Sequence, residues 1–174
     1  MKSNEGEKEF ENLCNRIGLQ AKKIPETPTK KTPDYIVYDS GSVKFYAEVK
    51  SLSDSEKEEL KEFKNLAQNG GVAVMDCNFS EKPAYLKRFL NQAAKQLKEG
   101  ICERLPTLLV IYAEDIFRLC CESNMEASLR KGFINIPEEI SAVMILKNKG
   151  EVSNDRFLLF RNDKAIVDFP PIFD

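Results

Sequence analysis

The sequence predicts an α/β fold, helices packed on a mixed sheet, and three observations carry it. Apolar residues recur at helical spacing in two segments, residues 4–17 and 83–99. Between them lie two runs rich in β-branched and aromatic residues, DYIVYD and VKFYAEVK, parted by Ser40-Gly41-Ser42. Beyond the second helix comes TLLVIYA, residues 107–113, a fully apolar run of the kind buried at a sheet centre. The order helix, strands, helix, strand, helix, strands is that of an α/β or α+β sandwich.

Each element has its local reason. In the first helix Phe10, Leu13, Cys14 and Ile17 form the stripe, and Gly18 sits where a helix closes. Residues 20–33 are crowded with Lys and Pro, with room for one short strand around Ala21 to Ile24. The two runs after Pro33 form a hairpin. In its second strand Val43, Phe45, Ala47 and Val49 alternate with Lys44, Tyr46, Glu48 and Lys50, so one face is apolar and the other polar. An acidic helix is expected over residues 54–68, and VAVMDC, residues 72–77, is a short strand candidate. Pro83 opens the next helix, Leu86, Phe89, Leu90, Ala93 and Leu97 line one side of it, and Gly100 stops it. Residues 114–131 are expected to be helical and residues 142–147 a strand. Residues 157–160 and 165–169 are expected to pair around Asn162-Asp163 before Pro170-Pro171 leaves the fold.

Composition narrows the chemistry. The chain has 174 residues, 26 Lys and Arg against 28 Asp and Glu, and no histidine. Ser-His-Asp and Cys-His catalysis are excluded, as are zincin-type sites and histidine-based nucleases. Acid–base work falls to carboxylates, Lys, Tyr, Cys or a metal-bound water. The length suits one domain, residues 1–174. No long apolar run or signal-peptide core is present, and the five cysteines are odd in number and irregularly spaced. A cytoplasmic, reducing setting without membrane contact is expected. Gly70-Gly71 lacks the Lys-Ser/Thr of a phosphate loop.

The hairpin is where chemistry concentrates. Asp34 opens its first strand, and Glu48 and Lys50 share a face near the end of its second. If the loop is the three residues Ser40 to Ser42, Asp39 pairs with Val43 and the ladder sets Asp34 opposite Glu48. Directly opposed Cβ atoms lie roughly 4.5–5.5 Å apart, so two carboxylates there repel unless a cation sits between them. Mg²⁺ fits, because it takes one or two carboxylates and keeps several waters. The Val49 carbonyl lies between the two active side chains and can be a further ligand. Lys50 stands beside that position, placed to orient or deprotonate an attacking water.

Pro33-Asp34, thirteen intervening residues, then Glu48-Val49-Lys50 resembles the signature of the PD-(D/E)xK nuclease superfamily, which includes restriction enzymes, Holliday junction resolvases and RecB-like nucleases. The context is similar too: a Glu-bearing helix precedes the hairpin, and a helix and a buried strand follow. The resemblance implies a restriction endonuclease-like αβββαβ core over about residues 6–113. Residues 114–174 are then a C-terminal extension that could complete the sheet or form a homodimer contact.

What the resemblance implies for this chain is a Mg²⁺-dependent nuclease, with Mn²⁺ able to substitute, acting on nucleic acid and on DNA by preference. Asp34 and Glu48 would be metal ligands and Lys50 the catalytic lysine. Members often add an acidic residue from the first helix; in GEKEFENLC, Glu11 follows Phe10 as in the family's usual Phe-Glu, and Glu7, one turn earlier, is the second choice. Gln92 and Gln96 stand where related members carry a Gln motif that usually ends in Tyr, here Gln96. Arg88, Gln92 and Gln96, with Lys95, could contact nucleic acid from this helix, and Lys22, Lys23, Lys30 and Lys31 from the basic segment. The alternative is a nuclease-fold protein that binds nucleic acid or a protein partner without cutting.

Overall fold

A computed structural model describes residues 5–25, 31–52, 83–100, 104–113, 125–146 and 157–173. Lys30, the expected acidic helix at 54–68, the strand candidate at 72–77 and the greater part of the helix expected over 114–131 lie outside these residues. The last leaves a helical stretch at residues 125–130. The elements are α1 (Glu5–Arg16), β1 (Gln20–Lys23), β2 (Tyr35–Asp39), β3 (Ser42–Leu52), α2 (Ala84–Gly100), β4 (Thr107–Ala113), β5 (Ala142–Leu146) and β6 (Phe157–Arg161).

The strands form one six-stranded sheet in chain order, an open α/β arrangement flanked by helices. β1, β2 and β3 make an antiparallel meander. β4 lies parallel to β3, β5 parallel to β4, and β6 antiparallel to β5. Two parallel neighbours joined through α2 need helices on the sheet faces, which is why β4 and β5 are apolar throughout. Strand alternation then sorts the core into two layers. Val37, Phe45, Ala47, Val49 and Val110 pack against Phe10 and Leu13 of α1. Leu109, Ile111, Val143 and Ile145 pack against Leu86, Leu90 and Leu97 of α2. No helix among the described residues is long and apolar enough to cross a membrane.

α1 closes on a glycine. Gly18 has φ +80°, the Leu19 N–H donates to the Cys14 carbonyl at 2.9 Å and the Gly18 N–H to Asn15 at 3.3 Å. This is the Schellman pattern, with Leu19 buried beside Cys14. It ends the helix at Arg16 and leaves Ile17, expected in the apolar stripe, 42% exposed. At the other end Gly6 meets the sheet: a Cβ there would stand 2.6 Å from Ser51 Oγ and 2.9 Å from Tyr112 Cβ. Only a residue without a side chain lets α1 settle this close to β3 and β4.

The hairpin turn differs from the expected one. Asp39 pairs with Ser42, so the loop is the two residues Ser40 and Gly41, both at positive φ as in a type I′ turn. Tyr38 pairs with Val43 but Val37 with Phe45, so Lys44 is an extra residue in β3, a β-bulge. The shorter turn and the bulge offset each other by one residue. Tyr35 therefore pairs with Ala47, and one step further Asp34 stands across from Glu48.

Residues 165–169 are not the second strand of a terminal pair. β6 pairs with β5, while the chain after Asn162 folds back on side-chain hydrogen bonds. The Asn162 amide donates to the carbonyls of Pro137 and Ile140, at 3.0 and 2.9 Å, and Arg161 donates to that of Phe169 at 2.8 Å. The Phe169 ring then seals the α1 layer against Phe45, with ring centroids 5.1 Å apart.

Candidate functional site

The site forms where β2 begins. The backbone carbonyl of Asp34 accepts the Ile24 N–H at 2.8 Å, which ties the entry of β2 to the end of β1. The side chain reaches across the hairpin, and Asp34 Oδ2 accepts the Val49 N–H at 2.8 Å. Val49 lies opposite Pro33 when the register is continued. Proline has no N–H to give, so the carboxylate of Asp34 takes up the Val49 donor while Pro33 supplies nothing to the Val49 carbonyl. The N–H and C=O of one strand residue point the same way. The Val49 carbonyl therefore faces the Asp34 side, away from β4.

Glu48 projects to the opposite face from Val49, with only 1% of its side chain exposed. The Lys50 ammonium stands 2.6 Å from Glu48 Oε1. Among the described residues neither oxygen of Glu48 meets a donor in full hydrogen-bond geometry, although the Lys50 ammonium and the Asp34 N–H both lie near enough to oppose its protonation. Burial, and then the facing Asp34 carboxylate, push the Glu48 pKa up to about 7, against the pull of Lys50. Burial also raises the pKa of Asp34; the Val49 N–H and Lys50 oppose it, and Glu7 adds to it. Lys50 donates to Gln96 Oε1 of α2 at 2.9 Å, so the helix and the hairpin meet at the lysine.

Of the two α1 candidates, Glu7 is the one whose charge acts on Asp34. Glu7, largely buried, holds Lys23 of β1 at 2.6 Å, and this pair acts electrostatically on Asp34. Glu11 instead accepts the Tyr35 hydroxyl at 2.7 Å, behind the site. Burial and this hydrogen bond push the Tyr35 pKa upward, so it stays a protonated donor.

The nucleic-acid candidates divide. Gln96 is committed to Lys50 and Lys23 to Glu7. Lys22, Lys31, Arg88 and Gln92 are exposed. Arg88 and Gln92, with Lys87, Asn91 and Lys95, line a shallow depression of about 350 Å³ on α2. Lys87 adds a cation that only its place one residue before Arg88 marks in the sequence. The Lys23–Glu7 pair joins separate elements and left no local signal.

Asp34, Glu48 and the Val49 carbonyl are the groups here that could hold a divalent cation. Neither buried oxygen of Glu48 meets a donor in full hydrogen-bond geometry, and Asp34 Oδ2 is held on the Val49 N–H across the hairpin. Among the described residues no group of three or more carboxylates or thiolates could hold a metal ion. Such an ion would keep water in the remaining positions, as Mg²⁺ does. No family model matches this sequence, and no curated protein or solved structure does so either.

Proposed function

We propose that this chain is a metal-dependent nuclease that hydrolyses phosphodiester bonds, with DNA the favoured substrate. The observation that carries the reading is the buried Glu48 with the half-buried Asp34 across the hairpin from it and Lys50 beside them. Burying two carboxylates together is costly, and proteins keep such an arrangement where a cation or a proton is to be held. The order α1, β1–β2–β3 meander, α2 crossover and parallel β4 supports a restriction endonuclease-like core.

Asp34, Glu48 and the Val49 carbonyl would hold the Mg²⁺ or Mn²⁺ ion. Bound there, the ion supplies Lewis acidity toward a phosphate oxygen and lowers the pKa of a coordinated water. Lys50, held by Gln96 and Glu48, would offer its ammonium to an attacking water or to the phosphate charge. Glu7 and Lys23 set the charge behind Asp34.

A second reading, a nuclease-fold protein that binds without cutting, is favoured by one observation. Lys50 and Lys23 already neutralise two of the carboxylates near the site. Calorimetric titration with Mn²⁺ separates the two. The nuclease reading expects a binding isotherm for wild type that Asp34→Asn abolishes. Nucleic-acid binding with no metal affinity and no hydrolysis supports the second.

A further inference from the structure

α2 buries one side of itself and leaves the other to solvent. Leu86, Phe89, Leu90, Ala93, Ala94 and Leu97 lie in the core. Lys87, Arg88, Asn91, Gln92 and Lys95 share the opposite face, and all five are exposed. With Ala84 they line the shallow depression on α2, and no carboxylate is among the lining residues. The helix has no acidic residue in its first turn, and neither Lys87 nor Arg88 has one three or four residues away. Among the described residues Lys87, Arg88 and Lys95 make no ion pair; Arg88 lies 5.5 Å from the centroid of the Phe89 ring. By contrast Lys23, Lys44, Lys50 and Lys98 each have a carboxylate within 3.4 Å.

In a chain of net charge −2, such a face is a local departure in charge. Its length and makeup fit a phosphate chain. From Lys87 to Lys95 the helix rises about 12 Å. One strand of a duplex presents a charge about every 3.4 Å of its axis, so about three or four phosphates face that length, against three cations. Asn91 and Gln92 stand between the cations and can donate to phosphate oxygens, as side-chain amides do. No aromatic side chain lines the depression, so it offers no platform for an unpaired base. A backbone whose bases are hidden in their own stack, a duplex, matches this description.

We propose that this face of α2 is a track for the phosphate backbone of a nucleic-acid duplex, which it grips without reading the bases. Lys87, Arg88 and Lys95 neutralise phosphates of one strand, and Asn91 and Gln92 hold oxygens between them. Binding here needs neither a metal ion nor the carboxylates of the hairpin. One consequence rests on the nuclease reading: a strand so held lies one helical turn from Gln96, which holds Lys50.

Fluorescence anisotropy in chelator tests it, because binding is then measured without hydrolysis. The probes are two labelled DNA duplexes of equal length and unrelated sequence, a single strand of one of them, and a polyglutamate peptide. The duplexes should bind within about twofold of each other, and both more tightly than the strand or the peptide. Their log K should fall against log salt with a slope of about −3 or steeper. Lys87→Gln and Lys95→Gln, both exposed changes, should each make the slope shallower by about one and weaken binding roughly eightfold at about 0.1 M salt. Lys164→Gln, an exposed cation in the turn after β6, should change neither. The proposal is overturned by any of four results: no duplex binding by wild type, an unchanged slope in both α2 variants, a preference between the two duplexes, or a strand or peptide bound as tightly as the duplex. Duplex binding that shifts as expected, with no Mn²⁺-dependent hydrolysis, would instead reject the nuclease reading and leave the track standing.

Discussion

The ammonium of Lys50 lies 2.6 Å from the buried Oε1 of Glu48, yet among the described residues Glu48 meets no donor in full hydrogen-bond geometry. A carboxylate so placed is held chiefly by the charge of Lys50, and burial beside Asp34 favours its taking up a proton.

The first consequence is a pH dependence of stability. Glu48 has an ordinary value of 4.5 and a folded value of about 7, and Asp34 is shifted in the same direction. The folded state therefore binds protons more tightly than the unfolded one. Stability contributed by protonation is present at acid pH and lost as pH rises from about 4.5 to about 7. In chelator, thermal denaturation of wild type should show Tm falling across that window beyond any background trend. Glu48→Gln should flatten the fall.

Removing the lysine should matter only where Glu48 is charged. Lys50→Met leaves an uncompensated buried carboxylate, a loss on the order of 1–3 kcal/mol. Urea unfolding should register that loss at pH 8, with little of it at pH 5. Adding Glu48→Gln to Lys50→Met should recover most of the difference.

A bound cation should reverse the acid preference. At a hundredfold excess over its Kd, an ion that binds only the folded state stabilises by about 2.7 kcal/mol. Mn²⁺ should therefore raise Tm at pH 8, and either Asp34→Asn or Glu48→Gln should abolish the increase. An equal rise in the variants would place the ion elsewhere.

Gly6 sets how near α1 comes to the site. Gly6→Ala puts a Cβ within 2.9 Å of Tyr112 Cβ and 2.6 Å of Ser51 Oγ. Overpacking of this kind costs about 1–3 kcal/mol. It should also loosen the Lys23–Glu7 pair next door. Chemical denaturation measures the first effect, and a weaker Mn²⁺ response of Tm measures the second.

Much of this arrangement was legible in the sequence. Alternation in VKFYAEVK assigned Glu48 and Lys50 to one face, and the apolar run at residues 107–113 marked a buried strand. The turn was not legible: its two-residue loop and the bulge at Lys44 are set by twist and packing, and the Asp34–Glu48 opposition survives because the two shifts cancel. The choice between Glu7 and Glu11 was hidden for a similar reason. Both lie on one side of α1, and only the packed sheet brings the charge of Glu7 to bear on Asp34 and gives Glu11 the Tyr35 hydroxyl. Residues 165–169 read as a strand by composition, but Arg161 and Asn162 spend their side chains on distant carbonyls and turn the chain instead.

If Asp34 and Glu48 hold a metal ion for phosphodiester hydrolysis, cleavage must depend on the ion and on both faces of the hairpin site. The most direct measurement is the hydrolysis rate of linear, branched and single-stranded substrates with Mg²⁺ or Mn²⁺, comparing wild type with folded Glu48→Gln and Lys50→Met proteins. Wild type should cleave only with metal present, and each variant should be slower by at least about a hundredfold. Cleavage undiminished in Glu48→Gln, or none by wild type on any substrate at saturating metal, would contradict it.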